Sequence, residues 1–311
     1  MHKNAMSSQK IGLLSLILLI IAGLVYSLLF PINRMAADYG VPPLGYVTWI
    51  SLGGGMMMVI ICIITKNIPK LSRRHLTTYF VGGALSIAAP MSLLVFAAPK
   101  LPSTIITMIV VLSPLLSYLF ALPAKLDKFR WLGMGGLLCG MGGVLLLLIP
   151  DASLPQPGMV GWVLLTLLAP IFLALFNIFI DLYAPPKEHS LALSTGILFA
   201  SGILMAPIAL ATGDFLWFTS SNIDGDLTTI YATIINVTRW WLIFIIIRMT
   251  GAVFVSQIAY VIVIAGFGWE ALFFEQSGNN YIWGAAGILL LGLFANTYSK
   301  FQNAKKSNEQ V

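Results

Sequence analysis

Runs of about twenty apolar residues recur from end to end of this chain, each long enough to cross the hydrocarbon core of a bilayer as a helix. Nothing else in the sequence constrains the fold as strongly. Composition agrees. Of 311 residues, 59% are hydrophobic and only 9% are charged, with a mean hydropathy of +0.93, whereas about a quarter of a soluble domain is charged. The expected fold class is an all-α membrane protein of ten transmembrane helices. The runs lie near residues 11–32, 44–65, 76–97, 102–122, 130–149, 158–181, 191–212, 229–247, 251–272 and 281–299. The segments between them are loop-like: SRRH and LPAKLDK are charged, IPDASLPQPG is rich in Pro and Gly, and SSNIDGD is polar. The first run is too long for a signal-peptide core and no small-x-small site follows it, so it reads as the first span.

Charge sets the expected orientation. With the N-terminus inside, the inner segments hold Lys3, Lys10, Lys66, Lys70, Arg73, Arg74, Lys125, Lys128, Arg130, Lys187, Arg248, Lys300, Lys305 and Lys306, fourteen of the seventeen basic residues. Arg34 and Lys100 fall outside, where Asp38, Asp151, Asp214, Asp224, Asp226, Glu270 and Glu275 also gather. Retention of positive charge on the cytoplasmic side places both termini there, in a multi-pass cell (inner or plasma) membrane protein. The formal charge of +6 lies in short loops and tails, so it does not point to nucleic acid. Cys62 and Cys139 each lie in an apolar run without a second Cys or His at ligand spacing, which argues against a metal site or a disulfide.

An internal repeat is visible. Asn33-x5-Tyr39 precedes Pro42-Pro43, and Asn177-x5-Tyr183 precedes Pro185-Pro186. RWLGMGG at 130–136 pairs weakly with IWGAAG at 282–287. The expected organisation is a tail over 1–10, a first repeat over 11–149, a second over 158–299 and a tail over 300–311. Five helices per repeat is an odd number, so the second repeat enters from the opposite face and the two are inverted, a recurrent plan in secondary transporters.

Four stretches carry a family resemblance: LVYSLLFPINRMAADYGVPPL, STIITMIVVLSPLLSYLF, WLGMGGLLCGMGGVLLLL and GWEALFFEQSGNNYIWGAAGILLLGL. In order and spacing, over about residues 11–299, the chain resembles the drug/metabolite transporter superfamily in its EamA-type branch. The resemblance implies ten helices, cytoplasmic termini and a central cavity lined mainly by helices 1, 3, 4, 6, 8 and 9. It implies movement of small polar metabolites or amino acids, often outward. The family's Gly-Glu pair after the fourth helix of each half is not reproduced. The second half keeps Glu275 near that place, and the first has only Asp127 within LPAKLDKF.

Arg239 is the residue that does not fit a lipid-facing run. It stands near the middle of the eighth span, where an arginine costs about 2.5–3.5 kcal/mol on insertion scales, so it is expected to face protein or a wet cavity. Asn236 and Trp240 lie on nearly the same face. A cation, an amide and an aromatic plane together suit a substrate bearing a carboxylate or phosphate, because guanidinium binds an oxyanion through two parallel hydrogen bonds. The plainer reading pairs Arg239 with helix-end carbonyls or an outer acid. Gln257 and Tyr260 with Ser256 in span nine, Asn177 beside Phe176 in span six, Asn33 and Tyr26 in span one, and Ser86 and Thr107 in spans three and four complete the candidate substrate site. Interhelical hydrogen bonding is the alternative for each. Pro90 and Pro114 are expected to kink their helices, which can turn carbonyls toward a cavity, although ordinary irregularity is the plainer reading for Pro114. Tyr46 and Trp49 are candidates for an outer vestibule. Trp217, Phe218, Trp269 and Trp283 read as headgroup-level anchors. Gly136, Gly140 and Gly143 form a close-packing face, inside the subunit or across a homodimer.

The expected function is a secondary transporter of a small carboxylate-bearing metabolite, working by alternating access in the lipid bilayer without a cofactor. No carboxylate sits mid-span, Glu270 and Asp38 near the outer face are the candidate proton carriers, and facilitated export or exchange is equally open. Lipophilic-compound efflux is the alternative substrate class. An integral-membrane enzyme is disfavoured because His2, His75 and His189 are scattered in tails and loops. A membrane scaffold is the remaining class.

Overall fold

In the computed structural model, residues 2–147, 159–185, 188–218, 221–250, 252–255, 257–274 and 280–308 are described. Asp151, Lys187, Ser256 and Glu275, Pro186 of the second repeat signature, and both inner repeat boundaries at 149 and 158 lie outside these ranges.

The described residues are helical, without strands. In chain order they form α1 (His2–Asp38), α2 (Pro43–Ile64), α3 (Arg73–Ala97), α4 (Ser103–Ala121), α5 (Trp131–Leu147), α6 (Met159–Tyr183), α7 (Ser190–Thr212), α8 (Ile223–Thr250), α9 (Ile258–Phe274) and α10 (Asn280–Asn308). Eight are long and apolar enough to cross a membrane, and α5 and α9 are shorter apolar helices.

Local chemistry explains several ends. Gly40 and Gly213 take positive φ, 71° and 74°, and stop α1 and α7 as left-handed caps do. Pro43 opens α2, where its missing N–H costs nothing. α8 runs beyond the expected 229–247 because Asp224 and Asp226 sit in its first turn and Arg248 in its last, each favourable against the helix dipole. The Asn222 amide oxygen accepts the Gly225 N–H (3.1 Å) at the start of α8, and its Nδ2 donates to Tyr39 O (3.0 Å).

Contacts sort the connections into two ends. At one end Trp49 Nε1 donates to Leu216 O (2.8 Å), Asn222 reaches Tyr39, and Arg34 meets Glu270. At the other, Lys70 and His75 meet Glu188 (3.0 and 2.8 Å), Arg74 donates to Ala184 O, and Arg130 bridges Asp127 (2.8 Å) and Ser299 (3.2 Å). The second end carries most of the described Lys and Arg residues.

Burial alone would raise the Glu188 carboxyl, but hydrogen bonds from His75 and Lys70 outweigh it and hold the group below its ordinary value of 4.5. A carboxylate depressed in the folded state contributes stability above its unfolded pKa and loses it as pH falls through the folded one. The protein should therefore lose about 1 kcal/mol on acidification below roughly pH 4.5 from this contact. Glu188→Gln should remove that increment, so melting curves of parent and variant converge by about pH 3.

Glycines let α5 and α10 pack closely. A Cβ on Gly136 would sit 2.5 Å from Gly292 O, and one on Gly143 would sit 2.8 Å from Ala285 O. Gly140 faces Leu115 of α4. The glycine face considered for a homodimer is thus occupied inside the chain.

Candidate functional site

A cavity of about 50 Å³ lies among α1, α2, α3, α4, α6 and α8. Its polar lining is Tyr26, Asn33, Ser86, Asn236 and Arg239, and its apolar walls include Ile50, Met91, Leu94, Val110 and Leu173. Small-molecule sites usually enclose about 300–1,000 Å³. Admitting a metabolite therefore requires the walls to separate.

Arg239 is held by rings rather than by an acid. Its guanidinium carbon lies 4.4 Å from the Tyr26 ring centroid and 4.8 Å from that of Trp240. Such stacking stabilises a cation by about 0.5–2 kcal/mol. Among the described residues no carboxylate pairs with Arg239. Its Nε and the Trp240 Nε1 are both buried donors without a hydrogen-bond partner, which is costly unless a ligand supplies an acceptor.

Two prolines shape the walls. Pro90 lacks the N–H that would close on Ser86 O. The turn before it, Ala84–Ala88, widens to a π-helix, and Ser86 Oγ donates to Gly82 O (2.7 Å). Pro114 likewise lacks the N–H for Val110 O, and α4 breaks at Val111–Leu112. Ser86 and Val110 both line the cavity. Pro114 interrupts its helix beside the cavity, as Pro90 does, and the π-turn is confined to the Pro90 side, where such turns often mark functional sites.

The remaining candidates lie elsewhere. Tyr260 OH is within hydrogen-bond distance of Thr297 Oγ1 of α10 (3.2 Å), and Gln257 falls in the turn ahead of α9. Among the described residues the cavity lining includes Ile50 of α2 and none of α9. Thr107 is fully buried; its hydroxyl bonds Ser103 O and its side chain packs on the Gly266 backbone. Asn177 is exposed and donates to Ser117 Oγ (2.9 Å). Asn33 lines the cavity, yet its Oδ1 is engaged by Tyr46 OH (2.9 Å).

The outer vestibule takes a different form. Tyr46 is fully buried, and Trp49 packs at a tilt against Phe218 and Phe215 (4.9 and 6.0 Å), folding the α7–α8 connection over the start of α2. Trp269, read as a headgroup anchor, donates to Ser27 Oγ of α1 (2.9 Å). Glu270, read as an outer-loop acid, is in α9 and only 3% exposed. Its Oε1 accepts from Arg34 Nη1 (2.8 Å) and its Oε2 from the Ser103 N–H (3.0 Å). The Asp127 carboxylate holds Arg130, which also stacks on Tyr118 (4.4 Å).

Comparison with known proteins fits this geometry. The model of the EamA-like transporter family matches residues 13–149. Over that first half the chain is similar to the EamA-like transporter family. Protein PecM of Dickeya dadantii (strain 3937) is 31% identical over 158 residues, 49% of this chain and 50% of that one; the chain thus spans about half the length of this curated relative. One crystal structure superimposes on 91% of this chain and 98% of its own, with a TM-score of 0.62 at 15% identity. At that identity the likeness concerns the fold alone.

Proposed function

We infer that this EamA-like protein is a secondary transporter for a small metabolite bearing a carboxylate or another oxyanion, bound at Arg239 between two inverted five-helix halves. The observation that carries this reading is a guanidinium on the cavity wall without a carboxylate partner among the described residues, its Nε–H unsatisfied. Lipophilic cations fit the cavity less well, because its described lining includes no acid.

The pattern of helix contacts supports the inverted repeat. Contacts of α1 with α8 and α9 have counterparts in those of α6 with α3 and α4, and α2 with α8 has its counterpart in α7 with α3. The pairs α2–α7, α4–α9 and α5–α10 are their own counterparts. A two-fold axis in the membrane plane produces this pattern and permits rocking of one half against the other. The basic end then faces the cytoplasm.

Uptake and efflux in proteoliposomes should be measured with a panel of amino acids, nucleosides and organic anions. Accumulation of at least one anionic or zwitterionic compound is expected. A correctly folded protein that moves none of them would disprove the proposal.

A further inference from the structure

The two seams that a two-fold repeat makes equivalent are not held alike. At the basic end, α6 meets α4 through the exposed neutral bond from Asn177 to Ser117. At the opposite end, α1 meets α9 through the Arg34–Glu270 ion pair. One carboxylate there joins three helices: Oε1 binds Arg34 of α1, Oε2 binds the first N–H of α4, and the acid itself belongs to α9. The adjacent Trp269 adds its bond to Ser27 on the same seam. The Arg34 side chain is 22% exposed while that of Glu270 is 4% exposed, so water reaches the pair from the arginine side.

We propose that Glu270 is a proton-binding site, and that its protonation unlocks the α1–α9 seam and couples this carrier to protons. The ion pair with Arg34 requires the carboxylate form, and the Ser103 bond is strongest with it. A proton taken from water at the arginine side neutralises Oε1 or Oε2, removing the charge that holds Arg34 and weakening the acceptor for Ser103. Arg34 has a place to go, since its guanidinium already rests on the Phe274 ring (3.9 Å) and is partly solvated. Buried ion pairs are of this kind: breaking one by neutralising a partner leaves the other charge uncompensated. Among the described residues the charged surroundings are few. From α1 the facing charge is Arg34. α4 contributes backbone N–H and has no charged residue, and Asn280–Ser299 of α10 has none. Asp38 and Lys100 are exposed at the same end. A bond such as Asn177–Ser117 has no comparable dependence on pH, so of these two equivalent seams the proton acts on α1–α9 alone.

The test is amide hydrogen exchange of the full chain in detergent or nanodiscs, followed in peptides covering 29–40 and 266–274 and corrected for the intrinsic pH dependence of exchange. Protection of these peptides in the parent should fall about tenfold or more between pH 8 and pH 5. Glu270→Gln should show the acid level at every pH. Arg34→Gln should be deprotected already at pH 8, which keeps the test decisive if the first variant does not fold. Parent peptides blind to pH, or an unchanged pH response in Glu270→Gln, would overturn the proposal. The proposal rests on the carrier reading for its purpose, yet exchange is read without substrate. A pH-blind seam thus removes the proton site and leaves the carrier reading standing, whereas failed transport with a responsive seam does the reverse.

Discussion

Arg239→Ala should abolish specific transport of an anionic substrate while leaving insertion and melting temperature close to the parent's. The two halves of this expectation follow from the same geometry. Arg239 has no ion-pair partner among the described residues and stacks on two rings. Truncation therefore leaves no buried charge uncompensated, and the loss of ring stacking is offset by the cost of keeping a cation at mid-membrane. For a bound oxyanion the guanidinium is the main attractive group. Losing a charge-assisted contact in a desolvated site costs about 2–5 kcal/mol, or roughly 30- to 4,000-fold in affinity. Arg239→Lys keeps the charge but loses the planar fork, so an intermediate defect of about tenfold is expected. The measurement is the concentration dependence of uptake, in proteoliposomes, of the panel compound that the parent moves best. Parent-like transport by both variants would remove the role assigned to this residue. A collapse of folding in Arg239→Ala would instead make Arg239 a structural cation.

What could be read from the sequence divides along a physical line. An arginine inside an apolar run is anomalous by itself, so Arg239 stands out without any partner, and Asn236 follows from helix periodicity. Glu270 stands out only as one of two outer-face acids, with Asp38, that could carry a proton. It sits near a span end beside Trp269, where headgroup-level residues belong, and its partner Arg34 is 236 positions away in the chain. Only the fold brings them together, and only that meeting makes burial of the acid affordable. Ile50, Leu94 and Leu173 were equally invisible as cavity walls, because an apolar side chain on a span fits lipid, core or cavity alike. Asn177 mirrors Asn33 in the repeat signature, and the signature invites the same role for both. The structure separates them: Asn33 lines the cavity and is engaged by Tyr46, whereas Asn177 is exposed beside Ser117. A sequence repeat specifies the equivalence of two halves, not which half is open.

Gly136→Leu should be among the most destabilising single changes in the chain, and Gly135→Leu, one residue away, should be nearly silent. The α5–α10 contact brings two backbones together so closely that each glycine faces the other's carbonyl: a Cβ at 136 would meet Gly292 O at 2.5 Å, and a Cβ at 292 would meet Gly136 O at 2.5 Å. No rotamer relieves a clash of Cβ with backbone; the helices must separate. Separation also strips contacts around Gly143 and Ala285, because a helix moves as a rigid rod. In lipid the acyl chains are as apolar as leucine, so close van der Waals packing is the principal attraction that remains between such helices. Overpacking of this kind costs about 1–3 kcal/mol per site, and a backbone clash that splits a whole helix pair belongs at the top of that range. Gly135 has nothing within 4 Å of its Cβ direction, so leucine there meets lipid and even improves helix propensity. Thermal unfolding of the two variants in the same detergent separates packing from propensity, since both make the same chemical change on the same helix. If they melt together, the close approach of α5 and α10 is not what holds α10 in place.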